Sequence, residues 1–205
     1  MNKNYNTKIF DTITKETVRI KDVFTYSHIN RVSLYTHRIA KNLQSFYNFT
    51  DTEVELIGVY SAFHDIGKMS TPSHILEKPG LLTLEERAII QLHPESGFDW
   101  VMSILSKFGD DFVERPEILK NIIIQHHEYL DGSGYPFGLR GDQITPEARI
   151  VTVADIFDAM TSYRTYQKTH TPYESLETLK SLVKANKIDG NVVNTLETII
   201  HEFIE

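Results

Sequence analysis

Apolar residues return every three or four positions along most of the chain, the spacing that gathers them on one face of an α-helix. Val32, Tyr35, Ile39, Leu43 and Phe46 do so over residues 30–47. Leu56, Val59, Tyr60 and Phe63 form a second run behind Thr50 and Glu53, which are spaced as a capping box. Gly67 is expected to end that helix. Thr83 and Glu86 suggest another start, ahead of a run to Leu92. Val101, Met102, Leu105 and Phe108 mark a further helix, and Ile118, Ile122 and Gln125 another. Thr145–Pro146 opens a helix carrying Ala148, Val151, Ala154 and Asp155. Thr171, Pro172 and Glu174 open one with Leu176, Leu179 and Val183, and Val193, Leu196, Ile200 and Phe203 predict the last.

Strand-like alternation is confined to residues 7–20, and no repeat or low-complexity tract occurs. The pattern predicts an all-α bundle. Residues 1–22 are read as an N-terminal extension (a helix, a short hairpin or partly disordered) and 23–205 as one domain. The loops near 68–82 and 130–145 are long for a bundle, and long ordered loops often carry function.

Composition narrows the partners more than the fold. With 205 residues, 40% hydrophobic and 24% charged, the chain can bury one sizeable core. No apolar run approaches ~18 residues, so no membrane span is expected. The N-terminus lacks a signal-peptide core. There is no cysteine, which removes disulfides, cysteine zinc sites and thiol catalysis and agrees with a cytoplasmic location. A net charge of −7 argues against binding a nucleic-acid polymer. An anionic substrate would need a few placed cations or metal ions.

The stretch QHHEYLDGSGYPFGLRG, residues 125–141, sets His126 beside His127 ahead of four glycines. Neighbouring side chains on a helix point about 100° apart, so one helical face cannot hold both. Other ligand-type residues recur: His28, His64 and Asp65 in AFHDIGK at the expected close of a helix, His93 at an expected helix end before Pro94, and Asp155 in ARIVTVADIFDAM. Imidazole and carboxylate suit Fe, Mn, Zn, Ni or Co, and helical bundles build such sites from converging helices. Five histidines and two aspartates exceed the needs of one ion. A bridging carboxylate would hold two ions about 3.5–4 Å apart, a spacing suited to phosphoester hydrolysis. Each residue alone also has a structural reading as a cap, a helix end or a backbone-bonded carboxylate. Periodicity by itself leaves the two balanced. His37, His74, His170 and His201 are read as surface or structural.

HDIGK, HPESG, HHEYLDGSGYPFGLRG and ARIVTVADIFDAMTSYR, in that order, resemble the signatures of the HD-GYP domain, a subgroup of the HD phosphohydrolase superfamily. The resemblance runs from about His28 to the C-terminal helix. It implies an HD-type bundle with a metal centre in its core and long loops over the active site. It also implies hydrolysis of cyclic di-GMP, to pGpG or onward to GMP, by a hydroxide between two metal ions. By the same resemblance His28, His64, Asp65 and Asp155 are the ancestral metal set. His93, His126 and His127 complete a second site, and Asp65 is the bridge. The implied cofactors are two divalent transition-metal ions, Fe or Mn first, with Zn, Ni or Co as alternatives. Asp65 and Lys68 are the implied catalytic residues. Lys68, Gly134, Tyr135, Arg164 and Lys168 are the implied substrate contacts, with Tyr135 either stacking on a base or packing the loop down.

The chain departs from the family at three places. Phe24 stands where some members carry a third-metal glutamate, which favours two ions. Arg164-Thr165-Tyr166 replaces the usual Arg-Pro-Tyr. Gln167, with Lys168 beside it, replaces a basic residue. Two rival readings are a metal-bearing signalling module that binds a cyclic dinucleotide without turnover, and an HD hydrolase of another nucleotide such as cyclic GMP-AMP. The expected partner is a cyclic dinucleotide, with protein partners or a homodimer left open.

Overall fold

The computed structural model describes residues 23–107, 113–162 and 169–203. The readings made for residues 1–22, for Phe108 and for Arg164, Thr165, Gln167 and Lys168 lie outside them, as does the side chain of Phe24. Ten α-helices are defined among the described residues: α1 Val23–Asn42, α2 Gln44–Tyr47, α3 Asp51–Ser61, α4 Ser73–Leu76, α5 Leu84–Ile90, α6 His93–Leu105, α7 Pro116–Gln125, α8 Pro146–Thr161, α9 Pro172–Lys184 and α10 Gly190–Ile199. Tight 3₁₀ turns span Ile66–Ser70, Gly141–Gln143 and Ile200–Phe203. The only β pairing among them is an isolated bridge between Asp131 and Arg140. The chain is all-α, as its periodicity predicts.

The core draws mostly on the predicted faces, though Phe46 and Met102, read as part of them, are exposed. α1 contributes Val32, Tyr35 and Ile39, α3 Leu56, Ile57 and Tyr60, and α7 Ile118, Ile122 and Ile123. Val151, Ala154 and Phe157 of α8 run through the middle, closed off by Leu176, Leu179 and Leu196. Each such side chain contributes roughly 1.5–3 kcal/mol by leaving water. α1 lies against α3 and α8, and α3 against α7. A cluster on the inward ends of these helices is therefore held by elements distant in sequence.

The Thr50–Glu53 box forms as predicted, and the helix starts read at Thr83 and Thr171 are boxes as well. Glu53 N–H donates to Thr50 Oγ1 at 3.2 Å and Thr50 N–H to Glu53 at 2.8 Å. The same reciprocal bonds join Thr83 to Glu86 and Thr171 to Glu174. Elsewhere local signals mislead. The helix predicted over 30–47 breaks at Leu43, and a left-handed Asn48 closes the short α2. α3 does not run to Gly67: it ends at Ser61, and the amides of Ala62, Phe63, His64 and Ile66 bond three residues back, tightening the chain into a 3₁₀ path. His93 does not end a helix. It begins α6, where Pro94 fits the first turn because no intrahelical amide bond is needed there. Pro146 starts α8, yet the Thr145 hydroxyl makes no cap and is buried without a partner.

Candidate metal centre

The 3₁₀ path after α3 aims His64 and Asp65 at the same point in the bundle. The two glycines of HDIGK and HPESG bring α6 to that point. A Cβ on Gly67 would stand 1.9 Å from the His93 carbonyl oxygen and 2.5 Å from the Gly97 amide nitrogen. Only two bare backbones can cross that closely, so His93 is drawn onto His64–Asp65. Gly67 is thus required by a long-range contact and not as a helix cap.

Three histidines are fixed by one rule. His64 Nδ1 lies 2.7 Å from Ser61 O, His93 Nδ1 2.8 Å from Ile90 O, and His126 Nδ1 2.9 Å from Ile123 O. A carbonyl can only accept, so each Nδ1 carries the proton and each Nε2 is left with a lone pair in the neutral ring. His28 obeys the same rule with a different acceptor. Its Nδ1–H donates to Asp158 Oδ2 at 2.7 Å.

The freed Nε2 atoms converge on one carboxylate and divide it. Asp65 Oδ1 faces His93 at 3.3 Å and His126 at 3.7 Å. Asp65 Oδ2 faces His64 at 3.5 Å and His28 at 3.9 Å. Asp155 Oδ1 closes the second side, 3.5 Å from His28 and 3.6 Å from His64. His127 joins the first: ligand atoms of Asp65, His93, His126 and His127 form one group and those of His28, His64 and Asp65 another, all within 4.8 Å in each. The adjacent histidines manage this because α7 ends at Gln125 and both lie in the following turn. The chain thus brings together all seven residues singled out as ligands. His37, His74, His170 and His201 join neither group.

The donor set fits divalent metal ions. Ligands about 2.1 Å from one ion stand roughly 3.0–3.4 Å apart in octahedral or tetrahedral geometry, near the separations found. The Nε2 atoms of His93 and His126 meet at 3.3 Å. Burial pushes the His126 pKa down to about 4, so at neutral pH its Nε2 keeps a lone pair there. Burial, with His126 beside it, lowers His127 to about 2. His64 Nε2 and Asp65 Oδ1 are buried with no hydrogen-bond partner. Burial favours a neutral Asp65, but Lys68 and His64 outweigh it and hold the carboxylate ionised. Lone pairs and anionic oxygens enclosed without donors are stabilised by a cation.

Lys68 Nζ lies 2.5 Å from Asp65 Oδ2 and is more than a third exposed, so it stands at the mouth of the centre. Tyr135 stacks on His127, with ring centroids 4.6 Å apart and planes at 28°. Gly134 lets the loop fold back: a Cβ there would meet Tyr129 N at 2.4 Å and His127 O at 2.5 Å. Gly132 adopts φ +78°, a left-handed conformation that disfavours other residues.

Two residues of this site were not read from the sequence. Glu128 is buried, and its carboxylate accepts the amides of Phe137 at 2.7 Å and Leu139 at 3.0 Å, pinning the loop. Its place directly after His127 was the available signal. Asp158 is fully buried and holds both His28 and the Arg31 guanidinium, at 2.6 Å. Burial works against its charge, and the bonds from His28 and Arg31 keep it low. Asp158 therefore fixes the His28 ring so that Nε2 faces the centre. Partners of this kind tune metal affinity about 10–100-fold. Asp158→Asn is expected to weaken metal binding on that scale in a titration followed by elemental analysis. Affinity equal to wild type would show that His28 needs no such support.

A family model described as HD domain matches residues 16–192. The chain belongs to the HD domain family. Curated relatives of this HD domain include a 3'3'-cGAMP-specific phosphodiesterase 2 of Vibrio cholerae, 36% identical over 180 residues, 88% of this chain and 32% of that protein. A cyclic di-GMP phosphodiesterase of Thermotoga maritima is 38% identical over 162 residues, 79% of this chain and 41% of that protein. The chain thus spans about a third to two fifths of the length of these two relatives. The crystal structure of the Listeria monocytogenes phosphodiesterase PgpH HD domain with cyclic-di-AMP matches at a TM-score of 0.64 and 19% identity, covering 95% of this chain and 97% of that one. It supports the HD bundle as the fold. No helix among the described residues is long and apolar enough to cross a membrane.

Proposed function

We propose that the chain is a metal-dependent phosphodiesterase that hydrolyses a cyclic dinucleotide, cyclic di-GMP first. The single observation that carries this is the division of Asp65 between two sets of imidazole nitrogens, Oδ1 to one and Oδ2 to the other. Such a carboxylate suits a bridge between two ions. His28, His64, Asp65 and Asp155 would hold one, and Asp65, His93, His126 and His127 the other. Fe or Mn suits this mixture of nitrogen and oxygen donors, with Zn, Ni and Co as alternatives. When bound, a pair of such ions supplies Lewis acidity and a nucleophile usable at neutral pH.

The chain's own residues do the rest. Asp65 spans both sets of donors and holds them in register. Lys68 presents its ammonium beside Asp65, where it can neutralise charge on a non-bridging phosphate oxygen as it develops. Asp158 and the three backbone carbonyls keep the imidazoles in the tautomer that leaves Nε2 free. The Glu128-anchored loop lays Tyr135 over His127 and screens that side from water. The names of the relatives above support cyclic di-GMP as substrate, and the Vibrio cholerae relative supports 3'3'-cyclic GMP-AMP as the second reading.

Metal content and turnover test the proposal together. Protein purified with Fe or Mn supplied is expected to carry more than one ion per chain and to linearise cyclic di-GMP. His126→Ala should lower occupancy and His170→Ala should not. Protein that never exceeds one ion under saturating metal would remove the two-metal reading. Fully loaded protein that binds cyclic di-GMP without product would make it a binding module.

A further inference from the structure

Among the described residues, the cations around the centre are mostly committed. Lys68 is paired with Asp65, Arg31 with Asp158, and Lys187 with Asp131 at 3.1 Å. Arg87 differs. It is exposed and has no ion pair or side-chain hydrogen bond among the described residues.

The chain path ties its turn to the centre. Gln91 N–H donates to Arg87 O at 2.9 Å, closing the last turn of α5. The Ile90 carbonyl in the same turn accepts a hydrogen bond from His93 Nδ1–H, and the His93 ring faces Tyr135 with centroids 6.2 Å apart. The turn bearing Arg87 is therefore bonded to one wall of the centre. α5 buries no residue of its own. It is held in place by the Thr83–Glu86 box and by Lys78, 2.7 Å from Glu86. Those bonds occupy Glu86 and leave Arg87 its charge.

We infer that Arg87 is an anion clamp for the second, non-reacting phosphate of a cyclic dinucleotide. This rests on the phosphodiesterase reading above. A cyclic dinucleotide carries two phosphates in one ring. With one at Asp65 and Lys68, the other must be neutralised elsewhere by a protein of net charge −7. A guanidinium takes phosphate through two parallel hydrogen bonds, and an unpaired one gives up no existing ion pair to do so.

The test uses the full metal-loaded chain as wild type, Arg87→Ala and Arg87→Lys. Its probes are cyclic di-GMP, cyclic di-AMP and bis(p-nitrophenyl) phosphate, a diester with a single phosphate. Arg87→Ala is expected to raise KM for cyclic di-GMP roughly 10- to 100-fold, with kcat and the rate on the small diester within about twofold. Equilibrium binding of the two dinucleotides should weaken by the same factor, and Arg87→Lys should recover part of it. An unchanged KM in an active enzyme overturns the clamp and leaves the function standing. Weakened binding of the guanine dinucleotide alone would mean base recognition, and an equal loss on the small diester a structural arginine; either rejects the clamp. A wild type that hydrolyses no cyclic dinucleotide would sink the phosphodiesterase reading, and the binding measurement would then decide on Arg87 separately.

Discussion

Asp65→Ala is expected to abolish hydrolysis of both cyclic di-GMP and bis(p-nitrophenyl) phosphate, a fall of at least ~10³-fold. No other side chain among the described residues faces both halves of the centre through separate atoms. Removing it deletes a donor from each proposed ion site and the anion beside Lys68. Metal content should fall with activity, because each proposed ion site loses a donor and His93, His126 and His127 are left with no carboxylate among them. The fold should survive. Asp65 follows α3 in a turn held by backbone bonds, and losing a buried carboxylate relieves a desolvation cost. A melting temperature near wild type with turnover at background is the expected pair of results. Retention of a tenth of wild-type turnover would show that Asp65 is not the bridge.

What could be read from the sequence follows the range of each interaction. The boxes at Thr50, Thr83 and Thr171 close within four residues, so their chemistry is complete in the local text. The seven candidate ligands were legible as a set because motifs in the right order resemble a family. Periodicity alone left them balanced between metal and structure. Asp158 was missed because its partners, His28 and Arg31, lie 130 and 127 residues away. Nothing adjacent distinguishes it from other polar residues of α8. His93 was misplaced for a related reason. Proline after a histidine reads as a stop, yet it equally suits the first turn of a helix, and only the packing of α6 on the turn at Gly67 decides between them.

Gly67 is where that long-range requirement is sharpest, and it carries the second large expected effect. Glycine-to-alanine changes at unstrained sites stabilise a protein by about 0.4–1 kcal/mol through the unfolded chain. At Gly67 the sign should reverse. The added methyl would meet His93 O at 1.9 Å, Gly97 N at 2.5 Å and Gly97 Cα at 2.8 Å. All three are backbone atoms, so no rotamer change relieves the clash. Either α6 withdraws from the Ile66–Ser70 turn or the turn itself deforms. Overpacking costs typically 1–3 kcal/mol, and a backbone clash of this depth belongs at or above the upper end, a fall in Tm of roughly 10 °C for a chain of this size. Because His93 moves with α6, metal content should drop as well. Gly190→Ala is the contrast: its methyl would meet only the Val183 Cγ1 methyl, at 3.1 Å, the end of a side chain that can shift. It should stay within about 1 kcal/mol of wild type and keep its metal. A Gly67→Ala protein that melts with wild type and loads fully would show that α6 tolerates displacement, and that His93 is held in the centre by something other than this crossing.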